Sequence, residues 1–199
     1  VDVIQTDNFG LNLGFNNTTL SNELEELGEG ISPIIFNRGI QRHEEGFALG
    51  GFWATPYTVN DANGDGFIAR SELEFADESE FIGPALPTWQ RSGFADVRLG
   101  SFITVSTLFE GRGGHYSGND TESFRCDQSA TSYGCEAFGN VDATADDQAR
   151  AVASRFFGNM YGFIEPADFW RWRELSVTLS APEGLAQRVP ALDGLRLTV

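Results

Sequence analysis

Four stretches of this chain repeat with a period of two. Phe9, Leu11, Leu13 and Phe15 fall on one side of their segment, and Gly10, Asn12, Gly14 and Asn16 on the other. Leu99, Ile103, Val105 and Phe109 oppose Gly100, Thr104 and Ser106, while Leu175, Val177 and Leu179 oppose Ser176, Thr178 and Ser180. Leu195, Leu197 and Val199 oppose Arg196 and Thr198. Successive side chains on a strand point to opposite faces, so the alternation predicts half-buried sheet. The second face is small and polar throughout, which suits a water-filled lumen as well as a solvent surface. The third stretch has a break in phase: Trp170 and Trp172 share the parity of Ser176 and not of Leu175. Either a bulge lies near Arg173–Glu174, or the two tryptophans sit at the edge of the apolar band, as at a membrane interface.

No run approaches the roughly 18–20 consecutive apolar residues of a membrane-spanning helix. This excludes a helical membrane protein and leaves a β-barrel open, because barrel strands alternate. With 13 Lys plus Arg against 29 Asp plus Glu, the net charge is −16. That balance argues against a nucleic-acid partner, which needs clustered cations, and against docking on an anionic membrane surface. Hydrophobic residues at 41% and aromatics at 13% of 199 residues exclude a disordered chain. Both ends, Val1 and Val199, fall inside an alternating pattern, so the chain is expected to be a section of a longer protein.

Between the alternating stretches the chain is rich in acids and turn residues. Residues 19–30 hold Glu23, Glu25, Glu26 and Glu29, and residues 111–147 are rich in Gly, Ser, Asn and Asp. Loops of this length are uncommon in compact soluble domains unless functional, but normal on one side of an outer-membrane barrel. One helix is predicted in the loops, capped by Thr144, with Asp147 at its third position and Gly158 ending it. Its apolar stripe is Ala149, Val152, Ala153 and Phe156.

The two cysteines, Cys126 and Cys135, lie in one Gly/Ser-rich loop. A disulfide between them implies an oxidising compartment and contributes about 2–3 kcal/mol by constraining the unfolded chain. A zinc site would need two further ligands, of which only His115 is near. Two free thiols are the remaining reading.

The sharpest motif runs from Asp61 to Glu72. It matches the twelve-residue pattern D-x-[DN]-x-[DN]-G-x5-E at every defined position. Asp61, Asn63 and Asp65 alternate so that their oxygens converge on one hard cation, and Gly66 permits the left-handed turn. Phe67 would offer its carbonyl and Glu72 a bidentate carboxylate, a ligand set for Ca²⁺ rather than Mg²⁺. The flanks are strand-like: Trp53, Pro56, Tyr57, Thr58 and Val59 lie upstream. A loop of Asx turns holding no metal is the alternative.

Several stretches carry a family likeness. Glu45-Gly46-Phe47-Ala48-Leu49-Gly50-Gly51-Phe52-Trp53 is followed by Asp61-Ala62-Asn63-Gly64-Asp65-Gly66 and then by Ile82-Gly83-Pro84-Ala85-Leu86-Pro87. Leu108-Phe109-Glu110-Gly111-Arg112-Gly113-Gly114 comes next. The strongest is Phe163-Ile164-Glu165-Pro166-Ala167-Asp168-Phe169-Trp170-Arg171-Trp172-Arg173-Glu174-Leu175-Ser176-Val177-Thr178-Leu179-Ser180-Ala181-Pro182. In this order and spacing the chain resembles the C-terminal barrel region of SusC/RagA-type TonB-dependent outer-membrane transporters. It departs from the family pattern at Glu165–Asp168, where an acidic-Gly-Ser turn is usual, and at Trp170 and Trp172, where Leu is common.

The resemblance implies an all-β chain: residues 1–199 as part of an antiparallel transmembrane β-barrel with long extracellular loops and one short loop helix. Plug domain, TonB box and closing strands are not in it. It further implies the outer membrane of a Gram-negative bacterium, cargo of oligosaccharides or peptides, power from the TonB–ExbB–ExbD complex acting through the missing plug, and a SusD-like lipoprotein partner. Contact with outer-membrane lipid would fall to Leu99, Ile103, Val105, Leu175, Val177 and Leu179. No enzymatic activity is expected, since no pair of acids has a catalytic context and His43 and His115, read as loop histidines, lack triad partners. The rival reading is a soluble secreted calcium-binding β-domain, with Trp53, Trp89, Trp170 and Trp172 exposed to stack on sugars or to serve adhesion. Arg171, Arg173 and Glu174 are read as cross-strand structural pairs.

Overall fold

The alternating stretches become strand with one correction: the second is not one segment, because the chain turns at Gly100–Phe102, so Leu99 ends one strand and Ile103 begins the next. The computed structural model describes residues 1–128, 135–180 and 196–198. Its strands are β1 (Asp2–Gln5), β2 (Phe9–Thr19), β3 (Ile34–Phe36), β4 (Gln41–His43), β5 (Gly51–Ala54), β6 (Tyr57–Val59), β7 (Leu73–Phe75), β8 (Glu80–Gly83), β9 (Trp89–Leu99), β10 (Ile103–Gly113), β11 (Tyr116–Gly118), β12 (Ile164–Pro166), β13 (Phe169–Ser180) and β14 (Arg196–Thr198). Two helices are α1 (Asp120–Gln128) and α2 (Ala145–Phe157). Of the fourth alternating stretch, Leu195 and Val199 lie outside the described residues, as do Ala181 and Pro182.

The chain divides into two units: residues 1–20, 89–113 and 168–199, and residues 21–88 and 114–167. The first is a six-stranded antiparallel sheet in the order β1-β2-β9-β10-β13-β14. Its long strands have 11 or 12 residues. Such a strand, tilted as in a barrel, rises about 25 Å, the height of a membrane barrel's apolar band. Two connections at one end are short, residues 6–8 from β1 to β2 and residues 100–102 from β9 to β10, while residues 181–195, which join β13 to β14 at that end, lie outside the described residues. At the other end both insertions of the second unit leave the strands, after Thr19 and after Gly113.

The second unit holds small sheets, β3-β4-β5-β8, β6-β7 and β11-β12, with the two helices. Phe52, Met160, Phe163 and Ile164 build one core around the cysteines, and Ile68, Leu73, Ala149 and Val152 build another. The predicted helix is α2. Thr144 Oγ1 accepts the Asp147 N–H at 3.1 Å and donates to the Asp147 carboxylate at 2.7 Å, while Gly158 closes the helix at φ +62°. Ala149, Val152 and Ala153 are buried as expected, but Phe156 stays at the surface, where the Arg70 guanidinium lies 3.5 Å above its ring.

The expectation of a single helix is corrected, because α1 is a second one. It is short and has no strong apolar stripe, so periodicity missed it. Its signal is a cap: Asn119 Oδ1 accepts the Glu122 N–H at 3.2 Å, an Asn-x-x-Glu start. His43, expected in a loop, instead ends β4, where its Nδ1 accepts the Gly50 N–H at 3.1 Å. Cys126 and Cys135 form the disulfide, with Cα atoms 4.6 Å apart, and it ties the end of α1 into the core. Reduction should lower the stability of this unit by about 2–3 kcal/mol. Hydrogen exchange at the α1 and α2 amides, compared with and without reductant, measures the loss.

Candidate functional site

The register of the six-stranded sheet sorts its side chains onto two faces. Ile103 pairs with Leu99 and with Leu179, Val105 with Val97 and with Val177, and Thr107 with Leu175. Directly opposed residues share a face, so the six residues expected to meet lipid stand together. Phe9, Leu11, Leu13 and Phe15 extend that face across β2, and Leu197 extends it across β14.

The break in phase is a bulge. Leu108 pairs with Glu174 but Phe109 with Trp172, leaving Arg173 as the extra residue of β13. Trp172 and Trp170 thereby join the apolar face. Trp172 stacks flat on Phe109 with centroids 5.4 Å apart, its Nε1–H donates to Thr107 Oγ1 at 2.6 Å, and Trp170 covers Gly111. The reading that left the tryptophans off the apolar stripe is set aside by this register.

Among the described residues, every buried hydrophobic side chain belongs to the second unit. The sheet leaves Phe15 69%, Trp170 61%, Trp172 57% and Leu175 54% exposed, with Leu13, Leu99, Phe109, Leu179 and Leu197 between 41% and 56%. Together these nine side chains present on the order of 1,000 Å² of apolar surface, well above the few hundred Å² a soluble monomer usually tolerates.

The opposite face is largely polar, with Phe94 and Leu108 as apolar members. Asn12, Asp96, Ser106 and Ser176 form one row, and Gly10, Arg98, Thr104 and Thr178 another. Glu110 gathers two guanidiniums: Arg171 Nε donates to its Oε1 at 2.7 Å, and Arg173 Nη1 lies 3.3 Å away. The bulge explains the motif Arg171-Trp172-Arg173-Glu174, since it lets both tryptophans face one way and both arginines meet Glu110 on the other.

In the second unit the Asp61–Glu72 loop joins β6 to β7, bridged at its base by Val59 opposite Leu73 and by the Asn60 N–H donating to the Glu72 carbonyl at 3.0 Å. Asp61 accepts the Gly64 and Gly66 N–H groups at 2.8 and 3.0 Å, and Asp65 Oδ1 accepts the Phe67 N–H at 2.8 Å. Asn63 Oδ1 accepts the Asp65 N–H at 2.9 Å. Gly66 has φ +79°, the left-handed turn its position demands. Buried Gln148 of α2 fixes the loop, accepting the Ile68 N–H and donating to the Gly66 carbonyl. Glu72 is turned aside: its Oε2 accepts the Ala69 N–H at 2.8 Å. Among the described residues, no three His, Cys, Asp or Glu side chains are grouped to hold a metal.

Spacing gave no hint of a cavity of about 530 Å³ in the same unit, lined by Tyr57, Tyr161, Arg150, Asp146 and Asp147. The two tyrosine rings meet edge to face at 5.5 Å. Arg150 is held by Asp147 at 3.0 Å and Glu165 at 3.5 Å. Burial pushes the Tyr57 phenol up to about 12, against the pull of Arg150, so Tyr57 is a neutral hydroxyl at physiological pH. Trp53, a candidate for sugar stacking, is only 6% exposed and belongs to the interior.

No family model and no curated protein matches the sequence. Solved structures do. The chain superposes over its whole length on the RagAB peptide transporter with a TM-score of 0.69 at 15% identity. It does likewise on the RagAB peptide importer in its "open-open" state (0.68, 15%) and in its "closed-closed" state (0.66, 14%). In each case this chain spans 24% of the matched chain's length. It therefore has the fold of a section of such a transporter: strands in antiparallel sheets, few helices, and, among the described residues, no helix long and apolar enough to cross a membrane.

Because the Tyr57 phenol titrates later in the folded chain than in the unfolded one, its contribution to stability is complete below the ordinary tyrosine value of 10 and fades as pH rises from 10 to about 12. Melting curves from pH 9 to 12 should fall less steeply in Tyr57→Phe than in the natural chain.

Proposed function

We propose that this chain is part of the barrel wall of a SusC/RagA-type TonB-dependent importer of the Gram-negative outer membrane, carrying peptides or oligosaccharides inward. The observation that carries the reading is the coreless sheet. A sheet with a continuous apolar face and no protein layer against it is stable where lipid supplies that layer. Supporting it are strands of membrane-spanning length, a largely polar second face suited to a wet lumen, and two short turns at one end with both long insertions of the second unit at the other. In this reading the second unit lies outside the cell, where the Cys126–Cys135 disulfide persists.

The peptide-importer likeness favours peptide cargo, and the family resemblance of the sequence favours a SusD-like lipoprotein over the loops. Energy would arrive from TonB–ExbB–ExbD through a plug domain outside this chain. The whole cycle belongs to the complete protein, of which this chain is a quarter by comparison with the structures it matches.

A charge placed on the lipid face tests the reading. In the complete membrane protein, Val105→Arg should cost about 2–4 kcal/mol near the bilayer midplane and abolish outer-membrane assembly. Ser106→Arg, one residue on and facing the lumen, should assemble normally. Heat-modifiable gel mobility reports both. Equal assembly of the two variants would contradict the orientation.

The Asp61–Glu72 loop is proposed to bind Ca²⁺ through Asp61, Asn63, Asp65, the Phe67 carbonyl and Glu72. Its residue types and backbone turn fit a hard oxygen-seeking cation. Glu72 must leave the Ala69 N–H to join the others. Calcium should raise the melting temperature of the second unit relative to chelator, and Asp65→Ala should remove the difference. A melt indifferent to calcium in the natural chain would leave the loop as a set of Asx turns.

A further inference from the structure

The apolar face has a trough. Along β9 it carries Gly93 and Ala95, set between Phe15 and Leu13 on β2 and Phe109 and Thr107 on β10. A floor of small residues between tall walls leaves an open groove of about 680 Å³. Its lining is almost wholly hydrocarbon. The one hydroxyl, on Thr107, is already engaged, accepting from Trp172 Nε1 and donating to the Glu174 carbonyl at 3.1 Å. The groove therefore suits a plain hydrocarbon chain and offers a polar ligand no directional bond.

Two residues further along β9, on the same face, stands Arg91, opposite Asn17 and Gly111. Its Nε–H donates to Asn17 Oδ1 at 3.1 Å, and its guanidinium lies 4.9 Å over the Trp89 ring. Among the described residues it meets no carboxylate within ion-pair distance, although acids outnumber bases 29 to 13. Trp89 in turn packs against Trp170, with ring centroids 5.6 Å apart. From Ala95 to Arg91 the strand rises about 13 Å. A hydrocarbon trough thus runs toward an uncompensated cation lying over one indole, at the end from which both insertions leave. That pairing of apolar length with one terminal positive charge complements a lipid that bears a phosphate.

We propose that this groove holds one phosphate-bearing lipid of the leaflet on the insertion side, an acyl chain lying over Gly93 and Ala95 and the phosphate meeting Arg91. The proposal rests on the barrel-wall reading. Phosphatidylglycerol, with diacylglycerol of the same chains as the uncharged comparison, tests it by native mass spectrometry of the complete membrane protein in detergent. The natural protein should retain one phosphatidylglycerol and release diacylglycerol readily. Arg91→Gln should weaken phosphatidylglycerol retention about tenfold or more, the loss of one charge-assisted contact. Gly93→Leu should block it. A side chain there has room, since a Cβ would find only the Gly14 carbonyl oxygen at 3.8 Å. Ser92→Leu, adding the same bulk on the opposite face, should leave retention unchanged. Retention equal in all four proteins, or indifferent to the phosphate, would overturn the proposal while detergent dependence persists. A protein stable as a monomer without detergent would overturn the barrel reading as well.

Discussion

The six-stranded sheet has two surfaces, and among the described residues none of its hydrophobic side chains is buried. One surface is apolar from Phe9 to Trp172, and every buried hydrophobic side chain described in this chain lies elsewhere, in the inserted unit. Burial of apolar area is the main favourable term in folding. In the proposed reading this sheet, which buries little among the described residues, takes its apolar surroundings from outside the chain. The length of the strands, the small polar side chains on the second surface and the unequal connections at the two ends all follow once that surrounding is a bilayer.

The bulge at Arg173 shows how closely local chain geometry serves this constraint. Without it, Leu175, Val177 and Leu179 would face opposite to Trp170 and Trp172. One extra residue corrects the phase, placing indoles and aliphatics on one surface and both arginines against Glu110 on the other. A carboxylate shared by two guanidiniums is at home facing water; the same cluster on a lipid-facing surface would be expensive.

Much of the sheet was legible in the sequence because a period of two is visible residue by residue. Leu99, Ile103, Val105, Leu175, Val177 and Leu179 share a face as their alternation requires, and the broken phase near Arg173 announced the bulge as one of two readings. Helix α2 was legible from Thr144, Asp147 and Gly158. Helix α1 was not, because its stability comes from the Cys126–Cys135 tie and from Ser123 and Ser154 meeting in the interior at 3.1 Å, neither of which leaves a periodic trace. The Tyr57–Tyr161 cavity was likewise invisible, since it joins residues a hundred positions apart. In the Asp61–Glu72 loop the motif predicted the Gly66 turn and the Asx contacts, but not that Glu72 would bond to Ala69.

The most direct measurement is quenching of tryptophan fluorescence by lipids brominated along their acyl chains. Proteins retaining only Trp172, or only Trp53, are reconstituted as complete membrane proteins in such bilayers. Trp172 should be strongly quenched, and Trp53, buried in the inserted unit, should not respond. A Trp172 signal indifferent to brominated lipid but quenched by aqueous iodide would place the apolar face in water and contradict the account.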